Sequence, residues 1–390
     1  MVVLWVTTPP NTPTVRLAWA FRVIRGKLKR QTELNPDFIR ERLQFGEHPR
    51  WLTGRPTRPS DYLKKNIALM SVEECQLTYL HWMLEKTMGS PHAFRYVREE
   101  IQKEKKGVVT DFEVLAKFLK ESAPEGAMGQ YLQHAELAVT FQKAGILILH
   151  GGLTPENIGR LPDGDVNAPP LQTVSVWVDR LNEWYKKELN QWINSPGTQS
   201  LQPADSALDD LALPLLNRPK SIIIANMLDT EGCFAPPAED VCAWLCQNKI
   251  RLVLTGHTPL GDFPLMLRAA ENNLLFLDND TGYANAHFTD PDDTRGRALH
   301  VTEITSDTAG TEVLVRGCLS DGRDAVTRLN LTSKGIEGDP NIGRVLPDQS
   351  VVQCQTKDGY RLVKKSGFAV FEYKTVSPEA LQIPDMSPRL

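Results

Sequence analysis

The sequence predicts an α/β fold, and three observations carry that prediction. Short apolar runs bounded by turn residues recur at 144–152, 221–226, 251–257 and 274–278. Long stretches of helical periodicity, Val174–Asn194 and Glu239–Gln247, stand before the second and third of them. Past residue 297 the helical period disappears and only strand-like segments remain. Runs that are apolar on successive residues read as strands buried on both faces of a sheet, because a half-exposed strand would alternate.

The elements follow in order. Residues 34–142 read as a helical insertion. Asn35 before Pro36 is an N-cap with proline at the first helical position, and Phe38, Leu43 and Phe45 follow it. Ser71 opens a second helix with Glu74 three residues on, the spacing of a capping box. Further helices are expected over 93–105, 110–121 and 127–143. Residues 195–220, rich in Pro, Ser and Asp, read as a surface loop. Strands are expected at 298–305, 310–318 and 324–332, then a hairpin of 350–356 with 360–373, turning at Asp358-Gly359. This last part, 306–390, reads as a β-rich C-terminal extension.

Composition narrows the function. The 390 residues suit one large α/β domain or two smaller ones, and 44 Lys+Arg against 48 Asp+Glu leave a net charge of -4. That balance argues against a protein built to grip nucleic acid through its phosphates, and an apolar content of 41% argues against disorder. No run of about 18 apolar residues occurs, so no membrane span is expected. The six cysteines are sparse. Cys242 and Cys246 lie one helical turn apart without a partner pair, which reads as reduced core thiols in a cytoplasmic protein. Residues 1–33 form an irregular basic leader: no acid precedes Glu33, while Arg16, Arg22, Arg25, Lys27, Lys29 and Arg30 do. An organelle transit peptide has the same composition, but Pro9, Pro10 and Pro13 interrupt any amphipathic helix there.

The candidate chemistry sits at strand ends, where open α/β sheets gather reactive groups. His150 ends one apolar run and precedes Gly151 and Gly152; His257 ends another and follows Gly256. A strand end fixes an imidazole, and glycine lets the chain turn sharply beside it. Imidazole is the commonest ligand for transition metals. Asn226 ends the 221–226 run and, with the glycines, is a candidate substrate contact. Arg95 and Arg98 have the geometry to reach a phosphate, yet Glu99 and Glu100 beside them point to a solvated face. Trp177, Trp184 and Trp192 fall on one helical stripe and read as a buried seam.

Two segments resemble a known family. Residues 146–156 (ILILHGGLTPE) and 252–261 (LVLTGHTPLG) are similar to the last two metal-binding motifs of the calcineurin-like metallophosphoesterases, phosphoprotein phosphatase branch. Leu277-Asp278-Asn279-Asp280-Thr281-Gly282-Tyr283 resembles the strand and turn that follow the second histidine motif. The resemblance spans about 131–305. It implies a two-sheet sandwich with helices on both outer faces, over 34–305, and a phosphate-ester substrate. It also implies two divalent metals (Mn, Fe or Zn), with His150 and His257 each ligating one metal of the pair.

The family takes most of its ligands from earlier motifs: Gly-Asp-x-His, Gly-Asp-x-x-Asp, and Gly-Asn followed by His or Arg and an acid. This sequence has none of them, and before residue 111 its only aspartates are Asp37 and Asp61. Residues 23–29 echo the strand and turn of the third motif without its Asn or acid. Three explanations follow: a chain that lacks the N-terminal strands of its full form; a relative that binds phosphate compounds or protein partners without hydrolysing them; or substitution by Asp229, Asp262, Asp278 or Asp280.

Overall fold

The computed structural model describes residues 70–82, 84, 92–162, 164, 169–194, 221–223, 225–229, 231–271, 273–282, 293–308, 310–367 and 369–381. The basic leader, the helix expected after Asn35, the echo at 23–29, the 195–220 loop and Tyr283 lie outside the described residues. The described residues fall into two compact units, 137–184 with 221–381 and 70–136 with 185–194.

The smaller unit is helical. Helix α1 (Val72–Trp82) opens on the expected capping box: the Ser71 amide donates to Glu74 Oε2 at 2.9 Å and the Glu74 amide to Ser71 Oγ at 3.2 Å. Helices α2 (Ala93–Glu104), α3 (Asp111–Glu121) and α4 (Ala127–His134) follow. A second capping box, Thr110 with Glu113, starts α3. Phe94 and Phe118 stack between α2 and α3 with ring centroids 6.1 Å apart. The helix expected over 127–143 ends early, at His134. Ala138–Phe141 instead forms strand β1, because Val139 and Thr140 are β-branched and Asn182 holds the strand's start. Asn182 Oδ1 accepts from the Leu137 and Ala138 amides, and its Nδ2 donates to the Ala138 carbonyl at 2.8 Å.

The larger unit holds two sheets. Its first comprises β1, β2 (Ile146–Leu149), β3 (Leu252–Thr255), β4 (Leu265–Ala269) and β5 (Leu274–Asp278), in the order β1-β2-β3-β5-β4. β2, β3 and β5 run parallel, with Leu147 opposite Val253 and Val253 opposite Phe276; β1 and β4 are antiparallel edges. Helices α5 (Val174–Asn194) and α6 (Glu239–Gln247) fall between β2 and β3 in the chain, as a parallel crossover requires. Trp177 and Trp184 are buried on α5 as expected, and Trp177 meets Trp244 of α6 edge to face at 5.9 Å. The Trp192 side chain lies outside the described residues.

One expected strand is absent among the described residues. Residues 221–223 and 225–226 form no strand: Ser221 Oγ accepts from the Ile223 amide and the Ala225 amide donates to the Ser221 carbonyl. The serine offers the backbone local partners that compete with a ladder. Ile222 and Ile223 stay buried. Burying each is worth about 1.5–3 kcal/mol, which outweighs lost ladder bonds of about 1 kcal/mol each.

The second sheet contains β6 (Leu299–Ser306), β7 (Thr311–Cys318), β8 (Asp324–Thr332), β9 (Gly335–Gly338), β10 (Val351–Thr356), β11 (Gly359–Lys365) and β12 (Phe371–Val376). Its order is β12-β11-β10-β8-β7-β6 with β9 on β8, and every pair is antiparallel. The run expected as one strand over 360–373 is two, separated by a turn in which the Ser366 amide donates to the Val370 carbonyl. The sheets share one core: Ile146, Leu252, Leu254, Leu275 and Leu277 pack with Val313, Val315, Leu329, Val352 and Leu362. The segment read as a C-terminal extension is thus the second layer, and residue 305 falls inside β6. Helices were expected on both outer faces. Among the described residues the outer face of β6–β8 is exposed, with Leu299, Val301, Glu303, Arg316, Val326 and Arg328 pointing outward, because these strands alternate between buried and exposed positions.

Candidate functional site

Parallel pairing puts the carboxyl ends of β2, β3 and β5 at one edge of the first sheet. His150 follows β2 directly, and His257 stands two residues past β3. The Gly256 amide donates to the His150 carbonyl at 2.9 Å, which joins the two strand ends through the backbone. The imidazoles meet there: His257 Nδ1 lies 3.3 Å from His150 Nε2, the ring planes are inclined by 68°, and both residues are half-buried.

The His-Gly-Gly turn is sewn to the 221–226 segment. The Gly151 amide donates to the Ile222 carbonyl at 2.7 Å and the Gly152 amide to the Ala225 carbonyl at 2.5 Å. A Cβ on Gly151 would lie 2.6 Å from the Ile223 carbonyl carbon, and one on Gly152 would lie 2.9 Å from the Asn226 amide nitrogen. Both glycines are there because backbone passes backbone too closely for any side chain. Gly256 differs, since a Cβ on it would meet nothing within 4 Å. All six candidate residues therefore share one neighbourhood: the two histidines by side chain, the three glycines and Asn226 by backbone. Asn157, which the sequence reading passed over, ties the same turn: its Oδ1 accepts from the Thr154 amide and its Nδ2 donates to the Gly152 carbonyl. The Asn three residues after Thr154 was the visible signal, a side chain able to cap a turn.

The acids considered as substitute ligands lie elsewhere in the hydrogen-bonding scheme. Asp229 Oδ1 accepts from the amides of Glu231 and Cys233, a turn. Asp278 is buried, accepting from the Asp280 amide at 2.8 Å and facing Thr255 Oγ1 at 3.4 Å. Asp262 is fully buried and pairs with Arg361 of β11 at 2.7 Å. Past β5, Thr281 Oγ1 lies 3.1 Å from Nδ1 of buried His300, whose pKa burial pushes down to about 4. In the helical unit, Arg95 pairs with Glu99 and Arg98 with Asp111 on exposed faces. All six cysteines are unbridged; Cys242 is buried, which raises its thiol to about 11.

The family resemblance implies two divalent metals, and the donor set tests that. Two nitrogens bound at about 2.0–2.1 Å to one tetrahedral ion lie about 3.3 Å apart. The imidazole pair has the span of two positions on one ion. A zinc ion needs four ligands, and catalytic sites supply three of them from protein. Among the described residues no group of three or more His, Cys, Asp or Glu side chains is placed to hold a metal. The spacing of the pair matches two positions on a single ion, and the described residues do not supply the ligands of a dinuclear centre.

Compared with known proteins, the sequence matches no protein-family model and no curated protein.

Proposed function

We propose that this chain is a metallophosphoesterase-like protein that receives a phosphate ester on one divalent ion held between His150 and His257. The single observation behind this reading is the 3.3 Å approach of His257 Nδ1 to His150 Nε2 at the ends of two parallel strands. The HGGLTPE and TGHTPLG segments that resemble the family's last two motifs support it. When bound, such an ion neutralises phosphoryl charge and polarises the P–O bond. The chain's own part is positional. Gly151 and Gly152 bring the backbone of the turn against 222–226, Asn157 ties the turn, and the open space at Gly256 leaves room beside His257.

A second reading, a phosphate-compound binder without hydrolysis, is favoured by the sequence, which carries the two histidine segments and lacks Gly-Asp-x-His, Gly-Asp-x-x-Asp and the Gly-Asn motif. One experiment separates the two. The purified full chain is loaded with Mn²⁺ or Zn²⁺, its metal content measured, and hydrolysis of p-nitrophenyl phosphate followed. About one metal per chain with turnover supports an esterase. Metal without turnover supports the binder. Metal content at background, unchanged in His257→Ala, rejects the esterase; inorganic-phosphate binding that survives His257→Ala supports the binder, and no phosphate binding rejects it.

A further inference from the structure

We infer that Arg361 and Gln353, both on the second sheet, are positioning residues for His257. This inference rests on the reading of His257 as a metal ligand. The loop from Gly256 to Pro264 joins β3 to β4 and carries His257 near its start. Its far half makes side-chain hydrogen bonds with the second layer. Asp262, with a side chain 0% exposed, receives the Arg361 Nη2 donor at 2.7 Å and Ser320 Oγ at 2.6 Å, both on Oδ2. Arg361 is itself 7% exposed, its guanidinium lies 4.4 Å over the Tyr373 ring, and its Nη1 reaches Asp321 at 3.1 Å. The next loop residue, Phe263, accepts at its carbonyl from Gln353 Nε2 at 2.5 Å.

Two features mark the contact as built. The β10–β11 register shifts between Val352 and Cys354, so Gln353 is the extra residue of a bulge. Bulges re-aim a side chain, and this one aims it at the loop. On the loop side Gly261 takes φ +127°, and a Cβ there would lie 2.9 Å from Gln353 Nε2. Only glycine permits both the conformation and the approach. The loop is therefore held by three side chains of the second layer, Arg361, Ser320 and Gln353, while its histidine is presented to a neighbour on the first sheet. A hydrophobic anchor alone would let the loop slide along the interface. Hydrogen bonds to a buried carboxylate and to a carbonyl fix its register, because losing either leaves a buried polar group unmet.

The test reads His257 without metal. Imidazole ¹⁵N spectra of the metal-free full chain are recorded for wild type, Asp262→Asn/Arg361→Met and Arg361→Lys, with His150→Ala and His257→Ala as assignment controls. The double variant removes the Arg361 arm of the clamp without stranding a buried charge; Arg361→Lys keeps the charge and loses the two-armed contact. In both, the His257 nitrogen signals are expected to move toward those of solvated imidazole, while signals from His134, in the helical unit, stay fixed. Co²⁺ affinity, read from its visible absorption, is expected to fall by at least about tenfold, as for residues that orient metal ligands. Unchanged His257 signals in either folded variant overturn the inference. If wild type takes up no Co²⁺, the metal reading fails, and the ¹⁵N spectra still decide the clamp.

Discussion

His150 and His257 are 107 residues apart in the chain, yet His257 Nδ1 stands 3.3 Å from His150 Nε2. The pairing follows from parallel register: β2 and β3 align Ile148 with Leu254, so the residues just past each strand emerge side by side.

If the pair holds one ion, both nitrogens are needed. His150→Ala and His257→Ala should each reduce bound Zn²⁺ from about one per chain to background, since a lone imidazole is no site. Equilibrium dialysis with metal analysis measures this. Loss in one variant with full retention in the other would show that the two rings do not share an ion.

The glycines beside the histidines should respond in opposite ways. Gly151→Ala must push a Cβ into the Ile223 backbone at 2.6 Å, and backbone cannot swing aside as a side chain can. A loss of about 1–3 kcal/mol or more is expected, as for an overpacked core. Gly256→Ala meets nothing within 4 Å and should leave the urea midpoint nearly unchanged. Denaturation of both variants side by side checks the contrast.

Burial of His300 makes stability depend on pH. Its folded pKa, about 4, lies below the ordinary imidazole value of about 6.5, so the unfolded chain takes up the proton first. The stabilisation is therefore complete above pH 6.5 and is lost as pH falls toward 4. At 1.36 kcal/mol per unit its size is about 3 kcal/mol. His300→Gln, which cannot charge, should flatten that part of a stability-against-pH curve. An unchanged slope would place the acid sensitivity elsewhere.

Trp177 anchors α5. It is fully buried, donates its indole N–H to the Arg160 carbonyl at 2.9 Å, and meets Trp244 edge to face. Trp177→Ala should cost about 3–5 kcal/mol, the range for removing a large aromatic from a core. Chemical denaturation followed by far-ultraviolet circular dichroism measures the loss.

Much of the local structure was legible from residue patterns. The capping box of Ser71 and Glu74, the apolar runs of β2, β3 and β5, and the hairpin turn, expected at Asp358-Gly359 and found one residue earlier at Lys357-Asp358, each depend on neighbours in the chain, so short-range rules reached them. The misreadings share one cause. Residues 221–226 have the composition of a buried strand, and Ser221, Ile222, Ile223 and Ala225 are buried, but a serine hydroxyl and a neighbouring turn take backbone bonds there. Residues 138–141 continue a helical period, yet Asn182, more than forty positions later, holds them extended.

The site divides the same way. His150, His257 and their glycines could be singled out because a strand end followed by glycine is a local pattern. Arg361 could not: in the strand Gly359–Lys365 it reads as one more outward cation, and only burial against Asp262 gives it a role. The sequence by itself determined the α/β class, the buried runs of β2, β3 and β5 and the two strand-end histidines. Tertiary structure alone decided that the strands between residues 299 and 376 form the second layer of the same core, that the two imidazoles meet, and that a loop from one sheet is clamped by the other. The reason is range. Periodicity and turn chemistry act over a few residues, whereas register between sheets and the partner of a buried charge are set by contacts about a hundred positions apart.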